Sequence, residues 1–480
     1  MLGYFQENIA KQSIMCYFIT LSIITILFYQ HSLPIYIILF GIVSVSAFFN
    51  GSNVLTKKWI NLPQKSYERC LFKIAFFIRL VYVIFIYYLN YSLYGTFYES
   101  NVGDIEFYVN TGTQFADIII NNDPILNNTS IYDFLVSWDI DISDMGYIYY
   151  LIYLYTISFR ISDVILPLIF KSIFGALTCV YMSRMASNHF GKNVGYMTGI
   201  FCTLQFNMIW WCGSMMKETE MLFLLVYFLS TMDEMILRNK YPTKQLIITL
   251  LAGSLLFLFR TVLGVVAFAS VLMFLVLGST KIKDKSKRFL IGGVILSLMV
   301  VAGYDMLSDQ INDLITVSDS SYQQTNMEWR ATRKDGNNFA KYAGAAVFAP
   351  LIFTIPFPSM VYTFQGQEMQ MQAHGGYFIK NIMSFFVIFV MFYFLKTKEW
   401  KRHIIPIAFT IGYLLALVMS VFAQSGRFHL LVIPFEMMFA AYGITLMNKK
   451  RMKWFQYALI FECVVCIAWS WFKLAGRGMI

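Results

Sequence analysis

Apolar runs of membrane-spanning length recur along almost the whole of this 480-residue chain. A helix that crosses a bilayer needs about 20 mainly apolar residues. Runs of that kind lie near 13–30, 33–49, 71–93, 163–183, 194–212, 219–237, 245–260, 263–279, 288–304, 376–395, 403–423, 428–446 and 455–472. Lipid offers no partners to backbone N–H and C=O groups, so continuous runs of this length fold as helices. The expected fold is an all-α polytopic membrane protein with about thirteen transmembrane helices. Composition agrees: 58% of residues are apolar and only 13% charged, against about 25% charged in a soluble domain. A soluble enzyme, a disordered chain and a nucleic-acid module are poor readings, despite a net charge of +10. No small-residue cleavage site follows the first run, and Gln30-His31-Ser32-Leu33-Pro34 leads straight into the next, which predicts a retained helix.

Lysine and arginine mark the cytoplasmic loops of such proteins. One set of connections carries Lys57, Lys58, Lys65 and Arg69, then Arg184 and Lys192, Arg238, Lys240 and Lys244. The set continues with Lys281, Lys283, Lys285, Lys287 and Arg288, then Lys396 to Arg402, and ends with Lys449, Lys450, Arg451 and Lys453. Between Leu80 and Phe159 there is no lysine or arginine, but there are Glu99, Asp104, Glu106, Asp117, Asp123, Asp133, Asp139, Asp141 and Asp144. The amino terminus is therefore expected to be cytoplasmic and the acidic loop outside.

Four regions follow. Residues 1–70 hold two amino-terminal helices and a basic cytoplasmic loop, and 71–304 a helical core with the acidic outer loop at 95–162. Residues 305–375 form a second outer segment, and 376–480 carry the carboxyl-terminal helices. The first outer loop contains a tyrosine-rich stretch, 147–155, suited to a helix lying at the membrane interface. The run 343–361 is apolar, yet it contains Pro350, Pro356 and Pro358, which break helix hydrogen bonds. It reads as a re-entrant or interfacial outer hairpin; if it spans instead, the carboxyl terminus changes sides.

Ionisable groups at membrane level are costly, and each is a candidate for function. The run Gly103-Asp104-Ile105-Glu106-Phe107-Tyr108 places a carboxylate just beyond the third helix, suited to act as a general base. Lys217 and Glu218 stand at the outer turn before the helix near 219–237, and Arg260 stands in the turn between 245–260 and 263–279. Arg427 and His429 begin the run 428–446, and Lys171 lies inside 163–183. Positive residues are disfavoured on the outer face, so several converging there point to an anionic ligand. The competing explanations are a solvated acid in an acidic loop and basic side chains snorkelling to lipid phosphate. His31, His189, His374 and His403 are scattered along the chain with no metal-ligand spacing. Cys463 and Cys466 form a C-x-x-C inside an apolar run, the setting of packing residues rather than a redox or zinc site. No phosphate-binding P-loop pattern is present.

The order of these features resembles the integral-membrane glycosyltransferases of the GT-C superfamily, in particular the aminoarabinose-transferase and protein O-mannosyltransferase branch. The matching segments are Asp104-Ile105-Glu106-Phe107-Tyr108, Phe170-Lys171-Ser172-Ile173-Phe174-Gly175, Lys217-Glu218, and Arg427-Phe428-His429 with Pro434 beyond. Phe428 stands where the family has tyrosine, and Asp-x-Glu replaces an adjacent acid pair. The resemblance implies a GT-C-like bundle, a polyprenyl-phosphate sugar donor, and an acceptor hydroxyl on a glycan, lipid or protein, at the outer face of a bacterial inner membrane. It implies Asp104, assisted by Glu106, as the catalytic acid pair. Tyr108, Lys217, Glu218, Arg260, Arg427, His429 and Lys171 would serve substrate binding, with no metal or cofactor required. Two rival readings remain. One is a polysaccharide polymerase or ligase using lipid-linked oligosaccharides. The other is a lipid-linked-sugar flippase, which expects charges midway through several helices, whereas here Lys171 is nearly alone inside.

Overall fold

Helices account for all the regular structure in the described part of the chain, as a bilayer solvent requires. The computed structural model describes residues 4–97, 103–122, 130–137, 140, 142–160, 164–278, 351–363, 371–419, 425–475 and 478–480. The chain begins with α1 (Glu7–Leu27), α2 (Ile35–Trp59) and α3 (Gln64–Tyr94). Shorter α4 (Gly103–Ile120), α5 (Ile131–Ser137) and α6 (Ile142–Ile157) lie in the acidic loop region. The core then runs through α7 (Ile165–Phe190), α8 (Lys192–Leu204), α9 (Phe206–Trp210), α10 (Glu218–Arg238), α11 (Thr243–Phe259) and α12 (Thr261–Met273). After the region 279–350 come α13 (His374–Thr397), α14 (Ile404–Met419), α15 (Gly426–His429), α16 (Ile433–Thr445) and α17 (Lys449–Ala475).

Seven of the described helices are long and apolar enough to cross a membrane, which makes the chain a helical, multi-pass membrane protein. They correspond to the runs near 13–30, 33–49, 71–93, 163–183, 376–395, 403–423 and 455–472. The other runs differ for readable reasons. The run 194–212 breaks at Gln205, whose backbone is extended and whose buried side chain donates to the Gly376 carbonyl at 3.0 Å. The run 428–446 breaks between His429 and Ile433, and α16 restarts with a proline in its first turn. Helix α10 is continuous over 21 residues but carries Glu218, Glu220, Asp233, Glu234 and Arg238. Helices α11 and α12 are shorter hairpin arms meeting at Arg260. The run 288–304 lies outside the described residues, as do most of 305–375 and residues 343–350 of the expected hairpin. Its described remainder, 351–361, is a turn followed by irregular chain rather than an α-helix, with Ile355, Met360 and Val361 buried.

Helix α7 packs against α3, α8 and α10. The α7–α8 contact is close because small residues face each other: a Cβ on Gly195 would lie 1.8 Å from Ser187 Oγ. Lys171 is not nearly alone inside, contrary to the sequence expectation. Arg79, Lys380, Glu436 and Glu462 are also buried within helices. Each has local partners. Arg79 donates to the Ala75 and Cys202 carbonyls, both at 3.1 Å, and Lys380 meets Glu436 at 3.3 Å and the Phe353 carbonyl at 2.8 Å. Cys466 donates to Glu462 at 3.3 Å. Two of the histidines also meet: His189 and His403 approach Nδ1 to Nδ1 at 2.9 Å, with Asp233 at 3.0 Å from His189.

Candidate functional site

Asp104 sits in the first turn of α4, where the helix dipole favours a carboxylate. Its side chain is 57% exposed, and it accepts a charge-assisted hydrogen bond from Arg427 Nη1 at 2.7 Å. The other edge of the same guanidinium, Nε, pairs with Glu218, which is fully buried at the start of α10. Arg427 thus ties α15, α4 and α10 together. One turn along α4 from Asp104, the Tyr108 hydroxyl donates to Asp144 Oδ1 at 2.6 Å. Lys217 immediately precedes α10 and donates both to Asp144 and to the Ser143 carbonyl, the latter at 2.7 Å.

These groups surround a cavity of about 220 Å³ lined by Asp104, Tyr108, Asp144, Lys217, Arg260 and Arg427, with Phe107 and Ser143 completing the wall. The cations differ in how they are engaged. Lys217 and Arg427 are each paired with carboxylates. Arg260 lies face-on to the Phe428 ring, its Cζ 3.9 Å from the centroid. Among the described residues Arg260 has no carboxylate within salt-bridge distance; it lines the cavity with Tyr413 and the buried Glu218 charge near it. Phe428 holds this arginine by cation–π contact, with Arg427 at 5.7 Å from the same ring.

Burial works against the Asp144 carboxylate, but Lys217, the Tyr108 hydrogen bond and Arg427 outweigh it and hold its pKa below the ordinary range. Burial pushes the Tyr108 hydroxyl well up, and the adjacent Asp144 charge adds to this. Tyr108 therefore stays a neutral hydrogen-bond donor at ordinary pH. Burial pulls the Lys217 ammonium down, against the attraction of Asp144.

Of the residues expected from sequence, Asp104, Tyr108, Lys217, Arg260 and Arg427 line one cavity, and Glu218 stands directly behind it. Glu106 is exposed and does not line the cavity. His429 is fully buried beside the site without lining it. Lys171 is also fully buried; it pairs with Glu220 rather than facing the cavity. Asp144 and Ser143 were not anticipated as site residues, Asp144 being one acid among many in its loop. A signal was present in Gly146, where an added Cβ would meet the Leu258 carbonyl at 2.8 Å. That close approach brings the start of α6 against the end of α11, and so Asp144 toward Arg260.

Among the described residues no group of three or more histidine, cysteine, aspartate or glutamate side chains is placed to hold a metal ion. The arrangement is suited to receiving an anionic group at Arg260 and Lys217 while a half-exposed carboxylate faces the same space. Compared with protein-family models, curated proteins and solved structures, the chain matches none.

Proposed function

We propose that this chain is a membrane glycosyltransferase that moves a sugar from a polyprenyl-phosphate donor to an acceptor hydroxyl, with inversion, at the outer face of a bacterial inner membrane. The observation that carries the reading is one cavity holding a half-exposed carboxylate, Asp104, together with Lys217, Arg260 and Arg427. In this reaction the acceptor oxygen attacks the anomeric carbon as its proton passes to Asp104. The bond from that carbon to the donor phosphate oxygen breaks, and the departing phosphate gains charge. Arg260 and Lys217 meet that charge in a partly desolvated setting, where fixed cations are most effective. Arg427, anchored on Glu218, aims Asp104. Tyr108, whose hydroxyl donates to Asp144, holds that carboxylate beside Lys217.

Depth supports a lipid-borne substrate. Helix α11 has 17 residues, about 26 Å of rise at roughly 1.5 Å per residue, against a hydrocarbon core of about 30 Å. Measured from the inner boundary of that core, a helix of this length brings Arg260 to about its outer edge rather than out into water. The loop charges support a cytoplasmic amino terminus with 95–162 and 305–375 outside, within a GT-C-like bundle of about thirteen spans that includes a re-entrant outer hairpin. A transport path is less favoured, because buried charges among the described residues pair locally, Lys171 with Glu220, Lys380 with Glu436 and Arg79 with the Cys202 carbonyl.

The test is purified full-length chain in lipid nanodiscs, supplied with polyprenyl-phosphate sugars and a panel of lipid, glycan and peptide acceptors. Transfer that needs the monophosphate donor supports the proposal. Activity confined to pyrophosphate-linked oligosaccharides assigns the chain to polymerisation or ligation instead.

A further inference from the structure

We infer that Lys171 and Glu220 form a positioning pair for the site, clamping from inside the bundle the segments that present Asp144, Lys217 and Glu218; the inference rests on the transferase reading above. Lys171 is fully buried on α7 and Glu220 is 3% exposed on α10. The ammonium donates to Glu220 Oε2 at 2.6 Å and to the Met216 carbonyl, and it faces the Tyr147 ring at 5.1 Å.

Each of these partners is near in sequence to a residue that lines the cavity or stands directly behind it. Met216 immediately precedes Lys217, and Glu220 lies two positions after Glu218, so the two bonds bracket the pair that meets Asp144 and Arg427. Tyr147 lies one helical turn after Asp144 on α6. One lysine therefore fixes the turn before α10 and faces α6 with a single charged group.

A buried ion pair is weak evidence for stability, since apolar residues of similar volume commonly serve as well or better. What such residues cannot supply is a donor to the Met216 carbonyl and a cation against Tyr147. The pair is thus suited to setting geometry rather than to holding the fold. Lys171 touches no substrate in this account; it acts through Lys217 and Asp144.

The test compares the full-length wild type with Lys171→Leu and Lys171→Leu/Glu220→Leu in nanodiscs. The single variant leaves a buried carboxylate without its cation and is expected to lower the unfolding temperature. The double variant removes both charges and is expected to recover it. If the pair were only structural, turnover would recover too. Positioning predicts that it does not: in the folded double variant turnover falls on the order of 10- to 100-fold, the scale of a roughly 1 Å misplacement. A second readout needs no sugar donor. Acetylation of Lys217 by a water-soluble N-hydroxysuccinimide ester, followed by peptide mass spectrometry, should be slow in the wild type and about tenfold or more faster in the double variant, as its ordered contacts loosen. A wild type without transfer on any donor counts against the transferase reading, while the acetylation rates still decide the positioning. A folded double variant with wild-type turnover, or with wild-type acetylation of Lys217, overturns the inference.

Discussion

At the scale of single residues the site depends on which oxygen or nitrogen each group can spare. Asp104→Asn keeps the shape but removes the base, so transfer should fall about 10²–10⁴-fold with normal protein level. Steady-state assay of matched nanodisc preparations checks this, and near-normal turnover would move the base elsewhere. Arg427 uses two different edges, Nη1 toward Asp104 and Nε toward Glu218. Lysine supplies a point charge without that fork, so Arg427→Lys should impair turnover and Arg427→Ala should impair it more, also leaving the buried Glu218 without its cation. Asp144 brings a pH dependence. Its folded pKa is depressed, so its contribution is fully present above the unfolded value, near 4, and is lost as pH falls through the folded value. Acidification below about pH 4 should therefore loosen α6 from α4 and α10. Hydrogen exchange of the 142–157 amides at pH 3 and pH 6 measures this, and equal opening at both would remove Asp144 from the account.

At the scale of elements the cavity exists because short helices approach closely. A Cβ on Gly112 of α4 would lie 3.0 Å from Leu151 Cβ, and Gly146 of α6 faces the backbone at the end of α11. Backbone cannot swing aside as a side chain can. Gly146→Ala should cost about 1–3 kcal/mol, the usual range for overpacking, and should reduce turnover because α6 carries Asp144. Thermal unfolding and turnover of that one variant should change together; a variant as active and as stable as the wild type would show that α6 has room to shift. These close approaches also show what was readable beforehand. Glycine in a tyrosine-rich apolar stretch marks a possible contact, but only the folded chain says with what. The breaks at Gln205 and before Ile433 were hidden for a related reason. Gln205 is one polar residue in an apolar run, and it breaks the helix where the Gly376 carbonyl from a distant helix accepts its amide.

At the scale of the whole molecule the charge asymmetry of the loops carries the orientation. Single cysteines placed at Asn128 and Ser286 in a cysteine-less background should behave oppositely. The first should react with an impermeant maleimide in intact cells, and the second only after the membrane is opened. Labelling of Ser286→Cys from outside would reverse the expected topology. Positive-inside bias acts loop by loop on nearby sequence, so this property can be sought in the chain without knowing the fold.

The sequence by itself determined that the chain is helical and membrane-embedded, because apolar length and low charge leave the backbone no other way to satisfy its hydrogen bonds in lipid. It also singled out Asp104, Lys217, Arg260 and Arg427, since charge at membrane level is costly and stands out in an apolar sequence. Only the tertiary structure decided how those charges divide the work. Arg427 is spent on Asp104 and Glu218, Lys217 on Asp144, and Lys171 on Glu220, while Arg260 rests on Phe428 and faces the cavity. Pairing is set by distances of a few ångströms between residues as far apart as Asp104 and Arg427. Spacing along the chain carries no information at that range, because helix packing, not sequence separation, brings those side chains together.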